Sequence, residues 1–191
     1  MVRVVAPDNG FVVAIDLETL KSALDRANGP AEITLLTSIG AYVAFHDPLA
    51  DVRSPDPAVA ARVATQIADA IHLEEERRLE QDPSYGIEQL TTIAWRSGST
   101  SQQNPAPTLA AIHALRDILS RWTTPTAGDA PPAADRLPVV YPDDAVPGLL
   151  ASLESLTVVA SGSMQHQVLA EITRTLAIVF DRLPSDAQER A

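Results

Sequence analysis

The stretch LEQDPSYGIEQL, Leu79–Leu90, joins a charged segment to an amphipathic one across an Asp-Pro step. Asp82 is suited to cap a helix and Pro83 to open one, since a proline at the first helical position lacks only an N–H that would have no intrahelical partner. Downstream, Ile87, Leu90, Ile93 and Ala94 fall on one helical face. Gly86 in the first turns costs about 1 kcal/mol relative to Ala, and such a glycine marks a close helix–helix contact. The stretch therefore reads as a helix junction, with Gln81 and Asp82 at its hinge.

Working back from the junction, Arg53–Gln81 reads as the longest helix. Asp56 is its N-cap and Pro57 its first residue, and Val59, Val63, Ile67 and Ile71 recur every four residues as a buried stripe. Glu74 and Arg78 form an i,i+4 pair in the favourable order, worth roughly 0.2–0.5 kcal/mol on a helix. The residues before it are β-rich. FVVAIDL (Phe11–Leu17) is a strand after the APDNG turn, and Leu17, Leu20 and Leu24 then start a short helix that stops at Asn28-Gly29. AEITLLTSIGAYVAFHDPLADV gives a strand, a turn at Gly40 and two short strands around Asp47-Pro48.

Working forward, RSGSTSQQNPAPT reads as a polar loop ending in a cap at Asn104 before Pro105. The next helix, to Trp122, is expected to bury Leu109, Ile112, Leu115, Leu119 and Trp122. A Pro/Ala/Gly stretch near 123–136 reads as a mobile linker, LPVVYP as a short strand, and PSDAQERA as a frayed end. Two final helices carry Leu149, Leu153 and Leu156, then Leu169, Ile172, Leu176, Val179 and Phe180. The expected fold class is α+β. Residues 1–55 form a small β-rich module with one short helix, and residues 56–191 a bundle of about five helices packed on their apolar faces.

Composition narrows the function classes. Hydrophobic residues make up 46% of the 191 and aromatics only 4%, so the core is aliphatic. A net charge of -11, with Lys21 as the lone lysine, opposes a general nucleic-acid or anionic-membrane surface, which needs a basic face. The absence of cysteine excludes disulfides, thiolate metal sites and a Cys nucleophile. Met1–Asn9 is no signal peptide, and no run approaches the roughly 18 apolar residues of a membrane span. The chain reads as soluble.

No catalytic constellation stands out. His46, His72, His113 and His166 are scattered without metal-ligand spacing. His72 beside Glu75 and Glu76 reads as a solvated face, and His113 as a hydrogen-bonded side chain. SGSTSQQN offers hydroxyls without a local base. DNG and PDD are turns before they are catalytic carboxylates, and neither a nucleophile elbow nor a P-loop occurs. The candidate site is polar: Gln81, Asp82 and Arg96, with Ser99 and Asn104 from the following loop. An arginine beside a capping carboxylate forms a bidentate pair, and helix N-termini supply free N–H groups for a small anion. The plainer reading of the same residues is a capping and salt-bridge network. No metal and no cofactor is expected.

The segments GFVVAIDLETL, IGAYVAFHDPLADV and EQDPSYGIEQLTTIAWRS and the Asn104-Pro105 loop, in that order, resemble a bacterial family of predicted membrane proteins, domain-of-unknown-function family twenty-two fifty-four. Its core signature runs E-R-T-x-x-Q-D-x-x-F-G-I-x-x-L-x-D-I-A-x-R-A-L-S-P-x-x-N-D-P. Arg77, Gln81, Asp82, Gly86, Ile87, Leu90, Ile93, Ala94, Arg96, Ser99 and Pro105 match it, and Tyr85 replaces the Phe. Thr92 stands in place of an acid, Thr100 in place of the Pro, and Gln103-Asn104 in place of Asn-Asp. The resemblance implies a soluble C-terminal region following transmembrane helices that this chain does not carry. APDNGFV and GAYVAFHDPLADV also resemble the two halves of biotinyl and lipoyl carrier folds, which implies a barrel-sandwich-like module. The carrier lysine is missing from DVRSPDP.

The resulting expectation is a non-catalytic interaction, oligomerisation or sensory module at a membrane face. It is placed on the cytoplasmic side, for want of an export signal or disulfides, and self-associates as a homo-oligomer. The alternative is a domain that binds, or acts on, a small polar or anionic ligand at the Gln81–Asp82–Arg96 junction.

Overall fold

A computed structural model describes residues 1–100 (without the Thr100 side chain), 104–124 and 136–183. The expected mobile linker near 123–136 lies almost wholly outside the described residues, as does the expected frayed end. Among the described residues the chain is mixed α and β, with six helices and two small sheets. Two compact units divide it. The first holds Met1–Asp82 with residues 136–143, and the second holds Pro83 to 124 with residues 144–183. The border between Asp82 and Pro83 falls inside the Leu79–Leu90 stretch.

In the first unit, β1 (Val2–Val5), β5 (Pro48–Arg53), β3 (Glu32–Leu35) and β7 (Val139–Val140) form a four-stranded sheet in the order β1-β5-β3-β7. The β3–β7 pairing is parallel and the others antiparallel. A second sheet, β4-β2-β6, joins β4 (Tyr42–Val43), β2 (Gly10–Ile15) and β6 (Ile71–Glu74). Neither sheet closes into a barrel, so the carrier-like halves form open sheets rather than a closed barrel-sandwich. Helices α1 (Leu17–Asp25) and α2 (Pro57–Ile67) share the core of this unit with the strands. That core is aliphatic: Val12, Leu20, Ile33, Leu49, Val52 and Ile67 are fully buried. Asp16 caps α1 by accepting from the Glu18 and Thr19 amides, and Asp56 caps α2 by accepting from Ala58 N at 2.8 Å.

The expected long helix to Gln81 is much shorter. After Ile67 the chain makes one 3-10 turn, Ala68–Ala70, and then pairs as β6 with β2, Ile15 opposite Ile71 and Val12 opposite Leu73. Spacing of four placed Ile71 in the helical stripe. The backbone groups of β2 need partners on that side, and four extended residues supply them. Ile71 is buried all the same, as a strand residue. The Glu74–Arg78 pair does form, with two contacts of 2.6 and 2.8 Å, but across a bend after β6 instead of along a helix.

The second unit is helical: α3 (Pro83–Thr100), α4 (Ala106–Trp122), α5 (Ala145–Gly162) and α6 (His166–Val179). Ile87, Ala94, Ile112, Leu115, Leu119, Leu149, Leu153, Leu156, Ile172 and Val179 build its core. Four helices contribute where about five were expected, because the segment before Asp82 lies in the first unit. Arg96–Thr100, expected as loop, extends α3. Gln165 Nε2 on the chain between α5 and α6 donates to Gly98 O at 2.5 Å, and Thr108 Oγ1 donates to Ala94 O at 3.3 Å. A Cβ on Gly98 would stand 3.5 Å from Val159, so the packed neighbours hold this polar end helical. Three expected core residues are exposed, Ile93, Trp122 and Phe180. Each sits at the edge or end of its helix, where the stripe has already turned away from the core.

Helix α5 is the one helix among the described residues long and apolar enough to cross a membrane, with 18 residues at a mean hydropathy of 1.3. No such run was expected from the sequence. A helix at the centre of a packed unit meets the same criteria, and Leu149, Leu153, Leu156 and Ala160 of α5 are core residues here.

Candidate functional site

The hinge residues are built into the first unit. Arg77 Nε donates to Asp82 Oδ2 at 2.6 Å, and the Asp82 side chain is 3% exposed. Above this pair lies Gly40, whose φ of +91° suits a residue without a Cβ. A Cβ there would stand 2.5 Å from Asp82 Oδ2 and 2.8 Å from Arg77 Nη2. The Gly40 turn is itself tied down, Gly40 N donating to Val12 O at 2.8 Å and Ile39 N to the Tyr141 hydroxyl at 3.1 Å. Asp82 thus has a half-buried guanidinium partner that the candidate set did not include. Gln81 is exposed, and its backbone N–H donates to Arg78 O at 3.2 Å.

The other three candidates belong to the helical unit. Ser99 Oγ donates to the Arg96 carbonyl at 3.2 Å, and Asn104 Oδ1 accepts from Ala106 N at 3.1 Å, at the start of α4. Residues 101–103, between them, lie outside the described residues. Arg96 alone of the three lines a groove of about 380 Å³ between α3 and the first turns of α5.

That groove has an apolar floor and a polar rim. Ile87 is buried beneath it, and Trp95, 46% exposed, stands at its side. Glu88, Asp144 and Arg96 bring two carboxylates and one guanidinium to its lining. Ser84, Thr91, Thr92 and Ser152 contribute hydroxyls. Thr91 donates back to Ile87 O at 2.7 Å and Ser152 to Gly148 O at 2.9 Å, so both present lone pairs outward as acceptors. Open space lies over Gly148, where an added Cβ would meet nothing within 4 Å. Thr92, noted in the sequence for replacing an acid, is therefore a groove residue. Trp95, Asp144 and Ser152 were not singled out as site residues. Asp144 read as part of a turn, and no spacing in the sequence relates residues 144–152 to α3.

Hydrogen bonds from the Arg3 guanidinium hold the Asp51 carboxyl below its ordinary range, and bonds from the Thr19 hydroxyl and amide do the same for Asp16. Both serve the fold, Asp51 across the β1–β5 pair and Asp16 at a helix cap. Among the described residues no group of three or more His, Asp and Glu is placed to hold a metal ion.

The fold and the groove define a mixed α and β protein of two compact units, with a ligand-sized cleft in the helical one. The chain belongs to the family described as "Predicted membrane protein (DUF2254)", which matches residues 1–177. The resemblance read from the junction segments thus holds over nearly the whole chain. No curated protein and no solved structure matches it.

Proposed function

We propose that this chain is a non-catalytic sensory or interaction module working at a membrane face, on the cytoplasmic side, and that the α3–α5 groove is where it receives a small polar ligand. The observation that carries the reading is the groove itself. A cleft of about 380 Å³ is within the range of small-molecule sites, and an apolar floor with a few convergent polar groups is the usual form of such sites. Family membership supports the membrane setting. The polar junction is thereby divided in role. Asp82 with Arg77 locks the end of the first unit, and Arg96 offers its guanidinium to the ligand. The rim carries both signs of charge, which favours a ligand with a hydrogen-bonding or zwitterionic body over a simple anion. Self-association of the module is part of the proposal.

A thermal-shift screen of phospho-sugars, amino acids and small carboxylates tests the reading, because a ligand that binds only the native state raises its melting point by mass action. A compound that stabilises the wild type but neither Arg96→Ala nor Gly148→Leu, both folded, places the ligand in the groove. Equal stabilisation of all three proteins, or catalytic turnover lost on Arg96→Ala, overturns the reading. Sedimentation equilibrium over a hundredfold range of concentration reports the oligomer, and a monomer throughout removes that element.

A further inference from the structure

Away from the groove, α4 and α6 are tied together by one buried carboxylate. Glu171 on α6, 7% exposed, meets Arg116 Nη1 at 2.9 Å and His113 Nε2 at 3.1 Å from α4, and also Arg174 Nη1 from its own helix. Two guanidinia and an imidazole converge on a single negative charge. The nearest acid in sequence, Asp117, is engaged at 2.8 Å by Arg121. The cluster therefore carries a surplus positive charge even with His113 neutral, in a chain whose net charge is -11.

A structural tie between two helices needs one cation for one carboxylate. Two guanidinia and an imidazole are present, and they are not sunk with the acid. The side chains of Arg116, His113 and Arg174 are 31%, 51% and 62% exposed. Each makes its contact with Glu171 through one nitrogen, and the other N–H groups of both arginines have no protein partner among the described residues. Glu171 thus acts as a buried anchor. It fixes the cations side by side and leaves their outer donors in water, where several charge-assisted hydrogen bonds to one tetrahedral anion become available. On the inner side, Thr175 lies one turn along α6 from Glu171, fully buried, with its hydroxyl unpartnered among the described residues.

We propose that His113, Arg116 and Arg174 form an anion site on the α4–α6 face that takes a phosphate group, with Glu171 as the positioning residue beneath it. Phosphate matches the fork geometry of paired guanidinia, and its charge neutralises the surplus. The same chemistry is carried by a free phosphate ester and by the headgroup of an anionic phospholipid. The overall negative charge of the chain works against binding, and affinity for inorganic phosphate is expected to fall with added salt.

The test is a titration of the isotope-labelled full chain with inorganic phosphate at fixed ionic strength, reading the arginine Nε–H resonances by NMR. A saturable shift at Arg116 and Arg174 is expected, weakened at least fivefold in Arg174→Gln. That variant keeps Arg116 and His113 on Glu171, so it should fold. Glu171→Gln, if folded, is expected to bind phosphate with the arginines less ordered, seen as broader Nε–H lines. Cosedimentation with phosphatidylcholine vesicles, with and without phosphatidic acid, separates the two sources. Retention only on the acidic vesicles, lost in Arg174→Gln, assigns a lipid headgroup, and phosphate binding without retention assigns a soluble phosphate ester. Absence of a saturable phosphate shift, or an unchanged shift in Arg174→Gln, overturns the proposal and leaves the cluster as a helix tie.

Discussion

At Gly40 the backbone takes a φ of +91° directly against the Arg77–Asp82 pair. An alanine there is strained by its own backbone and must also displace a carboxylate that is 3% exposed. Gly40→Ala is therefore expected to cost about 1–3 kcal/mol in urea unfolding, the range for a residue forced into such a conformation. An unchanged midpoint would mean that the pair moves aside freely. Asp51 acts through ionisation. Its carboxyl is held low by the Arg3 hydrogen bonds, so folding favours the charged form. The stabilisation is fully present above the unfolded pKa, about 3.9 for Asp, and is lost as pH falls through the lower folded value. Asp51→Asn should lower the melting point at pH 7 and make stability fall less steeply between about pH 5 and pH 2. A parallel acid limb in wild type and variant would contradict this.

At the scale of the element, β6 shows how tertiary pairing overrides spacing. Ile67 and Ile71 fit one helical stripe, yet Ile71–Glu74 extends along β2. A proline at Leu73 should release this edge, seen as loss of amide protection at the β2 residues whose N–H groups face β6, whereas in a helix running on from α2 it would leave β2 untouched. The C-terminal turns of α3 make the opposite case. Serines and a glycine there read as loop, and contacts from Gln165 and Thr108 keep them helical. The caps were plainer. Asp16 and Asp56 were legible because an N-cap is a local bond between a side chain and amides two or three residues on. Asp56→Ala should cost about 1 kcal/mol by chemical denaturation.

Over the whole molecule, two aliphatic cores carry the stability, one around Leu49 and Ile33 and the other around Leu115 and Leu153. Leu115→Ala, at a fully buried position, should cost about 2–5 kcal/mol in denaturant unfolding, through lost burial and the cavity left behind. The sequence by itself determined the α+β class, the aliphatic character of the core, most strands and caps, and the family, because these depend on composition, local bonds and ordered motifs. Tertiary structure alone decided that the run after Ile67 becomes a strand and that β7 joins the first sheet. It alone brought Arg96, Glu88 and Asp144 to one groove. It alone set Arg77 on Asp82 under Gly40, and two arginines and a histidine around Glu171. Each of these joins residues whose proximity no periodicity encodes, and each depends on which backbone edge or buried charge was left to be satisfied once the local elements had formed.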